Sequence, residues 1–245
     1  MTDTKSTQPV DVLAIGAHPD DVELGVGGTL LTLAAQGHST AVLDLTRGEA
    51  GSRGSAEERA GEAETAAEAL GLQARENAFL PDGGLADAIE QREAVARIIR
   101  RFRPSIILSH APHDRHPDHH AAHDLVRNAN FTAGVSTFKT EDEPYRTPRL
   151  YFYHPYSQVD TPPNLVVDIS AQFDQKVEVL RAYQSQFHNP GYQGPATWVS
   201  SAGFWDAIQT RAAHWGGRIG VAYGEPLFTD GPLATNTLPG LEINP

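Results

Sequence analysis

Between Val10 and about Asn130 the chain alternates four apolar runs with four stretches of helical character, a pattern that limits its possible folds more than any other feature. "VDVLAIGA" at Val10–Ala17 is apolar apart from Asp11, as in a strand buried on both faces. "GGTLLTLAAQG" reads as a helix stopped by Gly37, and "TAVLDLT" at Thr40–Thr46 as a second strand. Ser55 as N-cap and Gly71 as stop predict a helix over Ala56–Leu70. "NAFLPDGG" reads as a short third strand ending in a turn, and "AIEQREAVARIIRRF" as an amphipathic helix closed by Pro104. "SIILSH" is the fourth strand, followed by a helix to about Asn130. Such alternation predicts an α/β fold, its parallel sheet covered by helices on both faces.

Past Phe131 the pattern loosens into loop, with later strands in "RLYFYHP" and "NLVVDI" and helices in "AQFDQKVEVLRAYQSQF" and "FWDAIQTRAAHWG". The chain of 245 residues reads as one domain over 10–245 after a short leader at 1–9, with a core to about 130 and an elaboration over 131–245. "MTDTKSTQP" has no apolar signal core, and no run approaches the roughly 20 apolar residues of a membrane helix. A cytoplasmic location without membrane partners is expected. Trp198, Trp205 and Trp215 read as core or subunit-interface residues, and the aromatic C-terminal segments predict a homo-oligomer. The formal charge of −12 argues against nucleic acid as a partner.

Two polar clusters interrupt this scheme. "AHPDD" follows the first strand, and six of the 11 histidines fall within the 14 residues of "HAPHDRHPDHHAAH" after the fourth. In a doubly wound sheet of order 3-2-1-4 these strands are neighbours, and the loops after them open a crevice at the carboxyl edge. Topology therefore brings the clusters together. The chain has no cysteine, so a metal here is held by imidazole and carboxylate, as zinc-type sites allow. A carboxylate beside a ligand carboxylate is placed to take a proton from water. Spacing leaves the second cluster's ligands open: His119 with His123, or His116 with His119. "GVGG" lacks the order of a dinucleotide fingerprint, and its glycines suit a tight helix start.

"AHPDDVELGVGG" and "DRHPDHH" resemble the two signature motifs of the PIG-L/LmbE-like zinc-dependent N-acetylglucosamine deacetylases. "GSRGSAEERAGEAETAAEALG", "LPDGGL", "KVEVLRAYQSQF" and "HWGGRIGVAYGEPLF" resemble the bacillithiol-biosynthesis branch, so the likeness extends from about Val10 to Leu233. It implies a three-layer, Rossmann-like fold. It also implies one zinc ion per chain on His18, Asp21 and His119, with Asp20 as general base. His116 would face the reacting carbonyl, with Asp118 orienting the site. Arg53 would contact the group attached to the sugar, Asp82 would receive sugar hydroxyls, and Arg146 would point at the acyl group or a substrate carboxylate. His110, His113, His120 and His123 read as surface residues outside this set. Phe204 stands where some members carry a tyrosine that supports the oxyanion, shifting that work to the metal and His116.

The resemblance implies removal of acetyl from an N-acetylglucosaminide with a small anionic aglycone, malate above all. Another acetamido sugar, inositol-linked or free, is the nearest alternative. A metal carrier or a nucleotide-binding Rossmann-type protein is the alternative from another class.

Overall fold

Strand β1 (Val12–Gly16) lies at the centre of a five-stranded sheet of order β3-β2-β1-β4-β5, in which every neighbouring pair is parallel. The computed structural model describes residues 9–156 and 162–233, so the predicted leader, apart from Pro9, lies outside the described residues. The other sheet strands are β2 (Thr40–Asp44), β3 (Ala74–Asn77), β4 (Ile106–His110) and β5 (Arg149–Tyr153). Helices α1 (Asp21–Ala35), α2 (Ala56–Leu70), α3 (Ile89–Phe102) and α4 (Pro117–Ala133) alternate with them. Among the described residues no helix is long and apolar enough to cross a membrane.

Alternation along β1 explains its unbroken apolar run. Leu13 and Ile15 face one layer with Val95 and Ile99 of α3 and Leu125 and Val126 of α4. Val12 and Ala14 face the other, with Leu30 of α1, Leu70 of α2 and Val179 and Leu180 of α5 (Phe173–Arg181). A leucine or isoleucine buried there contributes about 1.5–3 kcal/mol, so a one-residue slip of register would forfeit both layers. The remaining elements are β6 (Leu165–Asp168), α6 (Ala202–Ile219) and β7 (Gly224–Leu227). β6 and β7 form a two-stranded antiparallel sheet, tied to β5 by paired backbone hydrogen bonds of 2.9 Å between Phe152 and Phe228.

Three elements differ from the sequence reading. The third strand is "AREN" at Ala74–Asn77 rather than "NAFLPDGG", because Arg75 on this edge strand is neutralised by Asp44 and Glu23. β7 carries Pro226, which its place in a two-stranded sheet tolerates. The first helix begins at Asp21, ahead of the glycines. A Cβ on Gly25 would lie 2.3 Å from the Tyr153 ring and one on Gly28 2.7 Å from Ile169, so these glycines let α1 approach β5 and the C-terminal layer.

α1 is also broken at Val26, with φ −139° and ψ 16°. Beyond the break, the backbone N–H groups of Gly28 and Thr29 donate to the Glu225 carboxylate at 2.9 and 2.6 Å. Lys176 donates to the Leu24 carbonyl at 2.8 Å and to Glu225 at 2.5 Å. A buried ion pair thus satisfies the donors and acceptor that the break releases.

Candidate active site

The reversal of strand order between β1 and β4 opens the carboxyl edge of the sheet, and both polar clusters stand there. His18 comes from the turn between β1 and α1, Asp21 is the first residue of α1, and His119 comes from the first turn of α4. The Asp21 carboxylate spans the two rings, with Oδ1 3.1 Å from His119 Nε2 and Oδ2 3.3 Å from His18 Nδ1. His18 Nε2 lies 3.0 Å from Asp82 and 3.3 Å from Asp118. His116 caps α4, its Nδ1 accepting the Asp118 N–H, and its ring lies 4.8 Å from His18 and 4.6 Å from His119. With Nδ1 so engaged, the other nitrogen carries the N–H of the neutral ring.

The electrostatics explain why these groups tolerate burial. Burial opposes a proton on His18, but hydrogen bonds to Asp118, Asp21 and Asp82 raise it well above the ordinary imidazole range. His119 is likewise pushed up to about 9, Asp21 and Asp114 outweighing the burial cost. The His119 charge and hydrogen bonds from His110, His119 and His18 in turn hold Asp21 well below the usual carboxylate range, against desolvation. Asp21, Asp82, Asp114 and Asp118 thus surround the two rings with carboxylates, a setting suited to a cation. Ligand atoms of His18, His116 and His119, of Asp21, His110 and His119, and of His18, Asp82 and Asp118 lie within 4.8 Å of one another in each group. The nitrogen and oxygen donors suit zinc or a similar ion.

Asp20 stands beside this cluster. Its backbone is left-handed, φ 117° and ψ −26°, and although it occupies the N-cap of α1 its side chain makes no capping bond. Burial raises its carboxyl to about 7, against the pull of Arg59, which donates to Oδ2 at 3.2 Å. A carboxylate near neutrality beside a metal-type cluster has the poise of a general base.

The other predicted residues divide. Asp82 joins the cluster, its second oxygen accepting the Ala50 N–H at 2.8 Å, and Asp118 accepts from the N–H groups of Gly83 and Leu85. Arg53 is buried against the 185–195 segment, donating at 2.6 Å to the carbonyls of Ser185 and Pro195, with its guanidinium 4.6 Å from the Tyr192 ring centre. Arg146 is not brought to the site: it packs over Phe131 near the C-terminal end of α4, whereas the cluster lies at that helix's N-terminus. The loop after α4 stays at that helix's C-terminal end, the Tyr145 N–H donating to the Ala133 carbonyl and the Thr147 N–H to Asn130, and so keeps Arg146 away from the crevice.

Two histidines read as surface residues are buried. His110 accepts the Ala17 N–H at 2.9 Å and stacks on His119 at 4.4 Å; His123 hydrogen-bonds the His110 carbonyl at 3.0 Å. His113 and His120 are exposed, as expected. Phe204 is buried against Trp198 and Tyr156 at 4.8 and 5.7 Å, and the Tyr156 ring lies 6.0 Å from His119. Sequence reasoning passed over Asp114, whose Oδ1 is 3.4 Å from His119 Nδ1, on the side of the ring opposite Asp21. It also passed over Arg115, which lies 4.8 and 4.5 Å from the ring centres of Tyr156 and Trp198, beside a cavity of about 1340 Å³. Trp198 is therefore a cavity residue rather than core.

The family description PIG-L, GlcNAc-PI de-N-acetylase, matches residues 13–130. The chain is 30% identical to the diacetylchitobiose deacetylase of Thermococcus kodakarensis, covering 87% of this chain and 80% of that protein. It is 27% identical to a 1D-myo-inositol 2-acetamido-2-deoxy-alpha-D-glucopyranoside deacetylase of Saccharopolyspora erythraea, over 74% of this chain and 78% of that one. Among solved structures, the conserved protein TT1542 of Thermus thermophilus superposes with a TM-score of 0.84 at 41% identity, covering 94% and 98% of the two chains.

Proposed function

Because the chain belongs to the PIG-L family and is a deacetylase, we propose that it removes the acetyl group from an N-acetylglucosaminide carrying a small anionic aglycone, malate by preference. The observation that supports this reading is the Asp21 carboxylate lying 3.3 Å from His18 and 3.1 Å from His119, with the His116 ring 4.8 and 4.6 Å from theirs and Asp20 next to Asp21 in the chain. Those three residues would hold the metal, which we assign as zinc, one ion per chain. When bound, such an ion supplies Lewis acidity, polarising the acetamide carbonyl and lowering the pKa of water.

The chain's own residues do the rest. Asp20 takes a proton from the attacking water as its oxygen bonds to the acyl carbon. Neutral His116 donates its remaining N–H to the oxygen on which negative charge develops, and Asp118 keeps that ring oriented through its backbone N–H. The proton held by Asp20 passes to the leaving nitrogen as the C–N bond breaks, giving acetate and the free amine. Asp82 receives sugar hydroxyls. Residues 10–245 are read as one deacetylase domain.

The anionic aglycone is supported by Arg115. It is exposed beside the cavity, follows directly on Asp114 and precedes His116, and among the described residues no carboxylate pairs with it. Arg146 is remote and Arg53 is committed to backbone carbonyls, so Arg115 takes over the role of reading the anion. The test is acetate release from malate-linked, inositol-linked and chitobiose N-acetylglucosamine, before chelation, after chelation and after zinc return. Release should be fastest from the malate conjugate, stop on chelation and return with zinc. Equal or faster release from a neutral conjugate overturns the aglycone; no release from any conjugate with zinc bound overturns the function.

A further inference from the structure

Arg59 sits in the first turn of α2, outside every predicted site residue, yet it is buried and reaches the candidate base in the loop after β1. Its Nη2 donates to the Pro19 carbonyl at 2.6 Å and to Asp20 Oδ2 at 3.2 Å, while Nη1 donates to the Gly48 carbonyl at 3.2 Å. One guanidinium therefore bridges the loop after β1 and the loop after β2. The second loop is shaped to admit it: Gly48 has φ 67°, and a Cβ there would lie 1.9 Å from Arg59 Nη1.

Asp20 needs such a hold. A left-handed conformation with φ 117° is costly for a residue with a Cβ and persists only where surrounding contacts enforce it. An aspartate at an N-cap ordinarily spends its carboxylate on the helix's free N–H groups, and here it makes no such bond. Among the described residues Arg59 alone hydrogen-bonds the carboxylate, at Oδ2, which leaves Oδ1 for the reaction. Two nitrogens of one planar guanidinium hold the Gly48 carbonyl on one side and the Pro19 carbonyl and Asp20 carboxylate on the other in fixed geometry, whereas lysine gathers its three donors on one rotating centre.

We infer that Arg59 is a positioning residue, which clamps the Pro19–Asp20 turn so that the Asp20 carboxylate faces the reacting water. This rests on the reading of Asp20 as general base. Its test is a cycle of Arg59→Met, Arg59→Lys, Asp20→Asn and the double variant Arg59→Met/Asp20→Asn, using the zinc-loaded full chain and the best substrate from the acetate assay. For each variant kcat, KM, zinc content and melting temperature are measured.

Arg59→Met is expected to lower kcat about 100-fold, the scale of a misplaced reacting group, with KM and zinc content unchanged. Arg59→Lys should recover only part of that loss, and added guanidinium ion should raise the rate of Arg59→Met but not of Asp20→Asn. In the Asp20→Asn background, loss of Arg59 should cost nothing further. Should Arg59→Met fail to fold, Arg59→Lys/Asp20→Asn carries the same comparison. A kcat kept in Arg59→Met, a loss confined to KM or zinc, or losses that multiply in the double variant overturn this inference alone. An Asp20→Asn enzyme at wild-type rate overturns the base assignment and this inference with it.

Discussion

Buried charge appears in two regions of the molecule and is treated in opposite ways. At the break in α1 the Lys176–Glu225 pair is closed: Glu225 accepts from Gly28, Thr29 and Lys176, and Lys176 also reaches the Leu24 carbonyl. Nearby Arg211 donates to the carbonyls of His154 and Pro155. At the carboxyl edge of the sheet the charges remain open. Four aspartates surround His18 and His119, while among the described residues the ring nitrogen His110 Nδ1 finds no hydrogen-bond partner. Asp21 and His119 are as buried as Lys176 and Glu225, so burial alone does not separate a staple from a site. What separates them is whether the local hydrogen bonding is complete, because an incomplete polar cluster costs stability that only a ligand or a reaction offsets.

Substitution at the two places should therefore move different observables. His119→Ala is expected to abolish zinc binding and acetate release, the largest effect. After chelation of both proteins it should still melt below wild type at pH 7, because Asp21 and Asp114 lose the imidazolium they hold, and the gap should narrow as pH rises through about 9, where the wild-type ring gives up that proton. Metal analysis and differential scanning calorimetry across that range check this, and a gap that does not change with pH would make His119 a packing staple as well. Glu225→Gln should do the reverse. It leaves Lys176 buried without its counter-ion, which costs about 3–5 kcal/mol and lowers the melting temperature by about 10 °C. The rate per folded molecule and the zinc content should stay at wild-type values. Adding Lys176→Met should recover most of the lost stability, since removing both charges also removes the desolvation cost.

The same contrast governs what could be read from the sequence. The open site was legible because its residues come from loops after two strands whose adjacency follows from strand order alone. The two clusters that carry His18, Asp21 and His119 thus converge without knowledge of any side-chain packing, while spacing left open which histidines of the second cluster would bind a metal and only the family resemblance singled out His119. The closed pairs were not legible. Arg75 makes "AREN" a strand only through Asp44 and Glu23, which are remote in sequence, and Glu225 caps a helix break almost two hundred residues away. His123 shares a helix face with His119 and Val126, a periodicity that would have flagged its burial; nothing local marks His110 as the acceptor for Ala17. Arg146 failed for a related reason, since an irregular loop has no period from which to place a side chain.

A charge left to solvent marks the lower end of this scale. Asp11 at the sheet's other edge accepts the backbone N–H and hydroxyl of Ser39 at 2.8 and 2.9 Å, and its side chain is 51% exposed. Those hydrogen bonds from Ser39 hold its carboxyl below the usual range. Because the folded-state pKa is depressed, the native state releases this proton more readily than the unfolded chain. The stability linked to it is therefore fully present above the unfolded value near 3.9 and fades as pH falls through the folded value. Asp11→Asn should remove that part of the acid limb of stability while leaving stability at pH 7 lower by no more than about 1 kcal/mol, the net worth of an exposed hydrogen-bonding group. Urea titrations of both proteins from pH 7 down to pH 3 measure it. If Asp11→Asn instead approached the Glu225→Gln loss, exposure rather than closure would have failed as the rule for ranking charges in this fold.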